Sequence, residues 1–374
     1  MTKINNAEAQ YFMRLAMREA EKARGTCAPN PFVGAVIVAN KKVISKGHTQ
    51  SWGCDHAEVQ AIKKAGSASV GADIYVTLEP CSHWGKTPPC TEAIITAGIK
   101  RVFYGISDPN PLVNPFPNVE GPGIISMRKH GIEVYGGWLE FPIRKQLEAW
   151  LCRIEKSRPF VTWKIALSMD GKYAAADGSS RWITGVDARQ YVHKLRSWSD
   201  VIVTGIGTVL ADDPMLNARI SQKAHQPVRA VLDSYLRIPI QSALVQSAKE
   251  YPLYIFHSQG CTDSKIAKLE DAGAKLFQVP SQAGRLDLGA ILDILHDLGY
   301  YSVMTECGDI LSTALLKASL VDKVMIFLGP KLLGGSKSIL TGLERLTIGQ
   351  ALCLEDIAFQ KIGSDLLVTA YPRY

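Results

Sequence analysis

Three features of the chain predict two successive α/β domains. Its 374 residues exceed what one hydrophobic core ordinarily serves. Short β-rich runs alternate with helix-patterned stretches through both halves, as in sheets covered by helices. A charged amphipathic stretch, Glu140 to Lys156, closes on Arg158-Pro159, and a residue before proline avoids helical backbone. The boundary is therefore placed there, giving domains 1–156 and 157–374.

The elements follow in order. Glu8 to Arg24 has Ala, Arg, Glu and Met at helical spacing and is stopped by Gly25 and Pro29-Asn30-Pro31. Val33 to Ala39 and Val43 to Ser45 are β-rich, and the turn signal Asn40-Lys41-Lys42 makes them a hairpin. A helix is predicted over 56–65, a strand over 74–78, a helix over 91–97 closed by Gly98, and a strand over 102–105. Asp108 to Gly123 is rich in proline and asparagine and reads as a long surface loop before a helix over 124–130 and a strand over 133–135. Beyond the boundary the prediction is strands over 160–167, 201–204, 228–232, 253–256, 275–279, 302–306 and 323–328. Helices over 187–197, 264–272, 288–298 and 310–318 separate them.

Composition narrows the function classes. With 47% hydrophobic and 21% charged residues the chain can build large cores, which excludes a disordered or fibrous protein. The longest apolar run, Phe32 to Ala39, is far short of the roughly 20 residues that cross a bilayer, so no membrane span is expected. The first residues, Met1 to Glu8, lack the features of a secretion or import signal, and a cytoplasmic location is expected. Eight scattered cysteines do not make a disulfide scaffold and suit metal ligation, catalysis or core filling. The net charge of +7 comes without any block of like charges, so it fits small phosphorylated ligands as well as nucleic acid and carries no nucleic-acid tail.

The first domain's chemistry lies in His56-Ala57-Glu58, Pro80-Cys81 and Pro89-Cys90. One imidazole and two thiolates suit a catalytic zinc, because the sulfurs cancel its charge and three ligands leave a fourth position for water. Glu58, two residues beyond His56, can sit beside that water and move its proton to a leaving amine. Cys90 precedes an apolar helical run whose N-terminus favours a thiolate. A closed structural site would need a fourth ligand, for which His83 is the nearest candidate. His-x-Glu followed by a Pro-Cys pair is the pattern of zinc-dependent nucleobase deaminases, although eight residues separate the cysteines here instead of two.

At this point the chain resembles the bifunctional deaminase/reductase family of riboflavin biosynthesis. The likeness is carried by Pro29-Asn30-Pro31, Val33 to Val38, His56-Ala57-Glu58, and Thr77 to His83 with Thr87 to Cys90. Beyond the boundary it is carried by Ser168 to Gly171, Trp182 to Gly185, Thr208 to Pro214 and Pro330 to Gly335. The resemblance implies a cytidine-deaminase-like α/β/α domain followed by a dihydrofolate-reductase-like α/β domain. It implies zinc held by His56, Cys81 and Cys90, with Glu58 catalytic, for deamination of a diaminopyrimidinone carrying a ribosylamino 5′-phosphate. It further implies that NADPH reduces the ribosyl group to ribityl in the second domain, a hydride delivery for which the protein must hold donor and acceptor in contact.

Carried over by motif, the substrate ligands of that domain are Lys164, Ser180, Arg196, Leu216, Arg219 and Glu306; the arginines suit a phosphate by their planar fork. The cofactor ligands are Ala166, Trp182, Thr208, Asp212, Ser234 and the turn Gly308, Asp309, Ile310, Leu311, Ser312, Thr313 and Ala314, whose backbone N–H groups can receive a phosphate. Departures from the family pattern are Asp55, Lys86, Cys307 and Asp309, together with a longer loop over 113–123. An alternative of another class is a nucleic-acid deaminase with an RNA-binding second half; residues 160–374 lack the basic, aromatic-interleaved face it needs. The small phosphorylated pyrimidine is thus the expected partner, with the assembly state open to a homo-oligomer.

Overall fold

The computed structural model describes residues 5–111, 113, 121–221, 225–343 and 347–374. They form two compact units that divide between Ser157 and Arg158. Among the described residues no helix is long and apolar enough to cross a membrane.

In the first unit α1 (Asn6–Ala20) leads to the hairpin β1 (Gly34–Ala39) and β2 (Lys42–His48). There follow α2 (Ala57–Ala65), β3 (Asp73–Leu78), α3 (Cys90–Thr96), β4 (Arg101–Ile106), α4 (Pro122–Lys129) and β5 (Glu133–Tyr135). The sheet order is β2-β1-β3-β4-β5, with β3, β4 and β5 parallel and β1 antiparallel to both neighbours. Side chains alternate across a strand, so adjacent β1 and β2 positions report opposite layers. A Cβ on Gly34 would lie 2.0 Å from the Ala16 carbonyl oxygen on α1, whereas one on Gly47 would lie 2.1 Å from that of Ala57 on α2. Helices therefore cover both faces, which is why every residue of β3 is buried. Gly34→Ala forces β1 off α1 and is expected to cost roughly 2–4 kcal/mol. Calorimetry reads this as a lowered melting temperature; an unchanged one refutes the close packing.

The amphipathic stretch predicted as a single helix over 140–156 is two, α5 (Glu140–Gln146) and α6 (Glu148–Lys156), broken at Leu147. The predicted surface loop is also revised: Asp108 and Val113 are buried, and the Ser82 hydroxyl donates to the Val113 carbonyl at 3.4 Å. The rest of that loop, Leu112 and 114–120, lies outside the described residues.

The second unit is a nine-stranded sheet. In chain order it runs β6 (Phe160–Ser168), α7 (Val186–Trp198), β7 (Val201–Gly205), α8 (Ile206–Asp212), β8 (Val228–Leu232), α9 (Ala243–Gln246), β9 (Leu253–His257), α10 (Asp263–Asp271) and β10 (Lys275–Gln278). A two-residue hairpin pair, β11 (Ser281–Gln282) and β12 (Arg285–Leu286), precedes α11 (Leu288–Asp297), β13 (Ser302–Glu306), α12 (Asp309–Lys317), β14 (Lys323–Gly329), β15 (Cys353–Ile362) and β16 (Asp365–Arg373). The order β10-β9-β8-β7-β13-β6-β14-β16-β15 puts the first strand inside the sheet, between β13 and β14. Seven strands are parallel; β16 and β15 extend the sheet antiparallel from β14. Sequence patterning reaches the parallel strands and misses this last hairpin. The β15 register shifts between Glu355 and Ala358, breaking its alternation, and nine of its ten residues are exposed, so no buried face marks it.

Candidate active sites

In the first unit the site forms where parallel strands end. β3 delivers Glu79, Pro80 and Cys81 from its carboxyl end, and β4 delivers Asp108 and Asn110 from the neighbouring end. The Glu79 backbone N–H donates to the Ile106 carbonyl at 2.9 Å, and the Asp108 N–H donates to the Glu79 carboxylate at 3.3 Å, tying the two ends together. His56 is the N-cap of α2, and Cys90 is the first residue of α3.

Sequence-distant ligands meet there. His56 Nδ1 lies 3.6 Å from Cys81 Sγ and 3.3 Å from Cys90 Sγ, and the three ligand atoms lie within 4.8 Å of one another. Tetrahedral bonds of about 2.0–2.3 Å set ligand atoms roughly 3.5 Å apart, so the donor set fits zinc in spacing and in chemistry. Cys90 stands at the start of α3, and its backbone N–H donates to Cys81 Sγ at 3.4 Å, so the helix N-terminus also reaches the other sulfur. Hydrogen bonds from the Cys90 thiol and from His56 lower the Cys81 thiol against its burial, and the bond to Cys81 raises the His56 imidazole. His83 is outside the cluster, and no fourth His, Cys, Asp or Glu joins it among the described residues.

Glu58, 4% exposed, lies in the first turn of α2 beside Cys90. Burial, then the Cys81 charge, pushes its carboxyl up to about 7, and the same burial pushes Asp108 up to about 7. Both line one cavity with Asn30, Trp52, Glu79, His83, Lys86 and Asn110. Lys86 holds its ammonium 3.3 Å from the Trp52 ring centroid, so the departure from arginine puts a stacked point charge at this wall instead of a fork. Glu79, Asp108 and Asn110 were not singled out from sequence. Their one signal is position: Glu79 adjoins Pro80-Cys81, and Asp108-Pro109-Asn110 comes one residue after β4.

In the second unit the carboxyl ends of β6, β7, β8 and β13 face one edge because the strands are parallel. Lys164 on β6 and Glu306 on β13 are register partners, with Lys164 Nζ 3.3 Å from Glu306 Oε2. Arg196 on α7 donates from Nε at 2.6 Å and from Nη2 at 3.1 Å to the same carboxylate. Burial works to raise Glu306, and the two cations overcome it, bringing the carboxyl down to about 2. The Arg196 fork thus faces a carboxylate, and the nearby guanidinium of Arg219 is held by one bond, from Nη1 to Asn217 Oδ1 at 2.8 Å. Leu216 is buried in left-handed backbone, φ 52°, between them in sequence.

The expected cofactor ligands scatter along the same edge. Ala166 lies near the carboxyl end of β6, Thr208 and Asp212 lie on α8, and Ser234 follows β8 with its hydroxyl donating to the Gly284 carbonyl at 2.8 Å. Trp182 is 58% exposed, with the Arg189 guanidinium 4.4 Å from its ring centroid, and Ser180 precedes it half-buried. Gly308 is the N-cap of α12, and Asp309, Ile310, Leu311, Ser312, Thr313 and Ala314 form its first turns. The Ser312 hydroxyl is enclosed, accepting from Trp163 Nε1 and donating to the Gly308 carbonyl, both at 2.9 Å. Asp309, a departure from the family pattern, accepts from the Thr341 N–H at 2.9 Å and the Thr313 hydroxyl at 3.1 Å, binding the loop after β14 to the helix start. Asp170 does the same farther back on that loop, accepting from the N–H groups of Leu333 and Gly334 at 3.0 and 2.7 Å.

Comparison with known proteins agrees across both units. A family model described as the cytidine and deoxycytidylate deaminase zinc-binding region matches residues 6–106, and one described as the RibD C-terminal domain matches residues 159–368. The riboflavin biosynthesis protein RibD of Bacillus amyloliquefaciens is 38% identical over 366 residues, 97% of this chain and 96% of its own. That of Escherichia coli K12 is 36% identical, with 96% and 97% covered. Among solved structures, Acinetobacter baumannii RibD has a TM-score of 0.87 at 32% identity, covering 99% of this chain and 100% of that one. The Thermotoga maritima diaminohydroxyphosphoribosylaminopyrimidine deaminase/5-amino-6-(5-phosphoribosylamino)uracil reductase has a TM-score of 0.84 at 32% identity, covering 98% and 99%. On this full-length likeness, the chain belongs to the riboflavin biosynthesis protein RibD family.

Proposed function

We propose that the chain is a bifunctional enzyme of riboflavin biosynthesis whose first unit deaminates 2,5-diamino-6-ribosylamino-4(3H)-pyrimidinone 5′-phosphate and whose second unit reduces the product's ribosyl group to ribityl. The observation that carries this reading is the gathering of His56, Cys81 and Cys90 around one point, with buried Glu58 beside them in a cavity. The three side chains would hold zinc, which when bound supplies a nucleophilic water at neutral pH. Glu58 removes a proton from the attacking water and returns it to the departing amino group, which leaves as ammonia while a carbonyl forms at the pyrimidine carbon. Asp108, Asn110 and Glu79 offer hydrogen bonds to the ring from the neighbouring carboxyl ends of β3 and β4. Lys86 offers charge to the phosphate from the cavity wall.

In the second unit NADPH, when bound along Ala166, Trp182, Thr208, Asp212, Ser234 and residues 308–314, supplies the hydride. Glu306 and Lys164 hold the ribose side of the substrate, with Ser180 and Leu216 shaping the pocket. Arg196 fixes the Glu306 carboxylate by its fork, which leaves Arg219 as the phosphate ligand. A chelator is expected to stop ammonia release while NADPH oxidation on the deaminated substrate continues at its former rate. Coupled assays with either substrate read this directly, and loss of both activities together refutes independent sites.

A further inference from the structure

The segment from Pro214 to Arg219 is fastened at several points. Arg229, fully buried, donates to the Met215 carbonyl at 3.3 Å. Gln226 accepts from the Ala218 N–H at 3.0 Å and donates to its carbonyl at 2.8 Å. Arg196 Nη1 donates to the Asn217 carbonyl at 3.2 Å, and His193 adds a fastening that differs in kind because it touches both the segment and Arg196. His193 and Arg196 stand three residues apart on α7 and so share a helix face.

His193 Nδ1 lies 3.3 Å from the Arg219 backbone nitrogen, 3.5 Å from Arg196 Nη1 and 3.2 Å from the Asn217 carbonyl oxygen. One ring nitrogen either accepts or donates, so these three contacts cannot all be hydrogen bonds at once. The Asn217 carbonyl already receives Arg196 Nη1 at 3.2 Å. The second proton of Arg196 Nη1 and the Arg219 N–H converge on Nδ1, and both are served when that nitrogen presents its lone pair. We propose that His193 is a positioning residue of the reductase site, a fixed acceptor that seats the Arg219 backbone beside Arg196 so that an anionic substrate group meets the Arg219 guanidinium in one place.

The electrostatics agree with this geometry. Burial, then Arg196 on its own helix and Arg219 on the facing segment, bring the imidazole down to about 4 against the Asn217 carbonyl and Glu306 on β13. A protonated ring would put a third cation into a corner that already holds two. It would also turn an N–H towards the N–H of Arg219. The proposal rests on the reading of Arg219 as the phosphate ligand, and the test separates the two.

Three variants, His193→Leu, His193→Asn and Arg219→Ala, are compared in the full-length enzyme. The readouts are steady-state reduction of the deaminated phosphorylated substrate, calorimetric affinity for that substrate, and NADPH affinity. His193→Leu leaves the donors without their acceptor and is expected to raise KM and substrate Kd about 10-fold with kcat within about twofold and NADPH affinity unchanged. His193→Asn restores an acceptor at about the place of Nδ1 and is expected to return KM to within about threefold. The KM ratio of the Asn variant to wild type should stay flat from about pH 5.5 to 8, because the wild-type ring does not charge there. Wild-type KM in His193→Leu overturns the proposal. So does a joint loss of kcat and NADPH binding that Asn does not rescue, or a break in the KM ratio near a histidine's ordinary pKa of ~6.5. An unchanged KM in Arg219→Ala overturns the phosphate reading beneath it, whereas a raised KM there beside an unaffected His193→Leu overturns the positioning role alone.

Discussion

Glu58→Gln is expected to keep the metal and lose deamination by roughly 10³-fold, the middle of the range a positioned proton carrier contributes. The amide has the carboxylate's size, so the buried pocket beside Cys90 stays filled and His56, Cys81 and Cys90 keep their places. What it loses is the ability to take a proton and give it back. Two measurements on the same preparation decide the matter, metal content by mass spectrometry and ammonia release on the diaminopyrimidinone substrate. Full metal with activity near wild type removes Glu58 from the mechanism, and lost metal makes it a ligand instead of a proton carrier. Reduction of the deaminated substrate should be untouched in either case.

Glu306→Gln is the corresponding change in the second unit, and its expected effect is a fall of roughly 10²-fold or more in reductase kcat/KM. The carboxylate is buried between Lys164 and Arg196, with each side chain 12% exposed, so neutralising it leaves two buried cations facing each other across an amide. Stability also changes with pH. In the folded chain Glu306 titrates at about 2, below its ordinary 4.5, so its ionised form favours folding. That contribution, on the order of 3 kcal/mol, is complete above about pH 4.5 and is lost as the pH falls through the folded value. Denaturant titrations between pH 5 and 3 should therefore show a shallower decline for the variant than for wild type. Parallel slopes, or wild-type kcat/KM, would show that the triad is dispensable.

Legibility in the sequence followed the physics of each feature. The metal cluster was readable because its ligands are chemically distinctive and sit beside marked local structure, His56 at a helix cap and Cys90 at a helix start. The parallel strands were readable because burial on both faces makes them continuous apolar runs, as in Leu253 to Phe256. The cavity wall of Asp108 and Asn110 was not, since a buried carboxylate after a strand looks like any loop acid until burial raises it. The division of labour between Arg196 and Arg219 was equally hidden. Both were expected at the substrate, and only the pairing of α7 with β13 through Glu306 shows that one fork is already engaged. Asp309, a departure from the family pattern, resolves as a clasp on Thr341 and Thr313, a role fixed by residues 32 and 4 positions away.

The location of β6 inside its sheet sets a schedule for making this protein. Lys164 is 142 residues from its partner Glu306, and Arg158 is 164 residues from Asp322, to which it donates at 2.6 Å. A ribosome adding about 5–20 residues per second needs roughly 7 to 33 seconds to supply those partners. The earliest strand of the second unit waits all that time beside the exit tunnel with its apolar edges bare, while the deaminase unit, whose strands lie close in sequence, can already close. Nascent-chain quality control should therefore engage residues 160–300 far more than residues 5–157, and chaperone demand during expression falls on the reductase half.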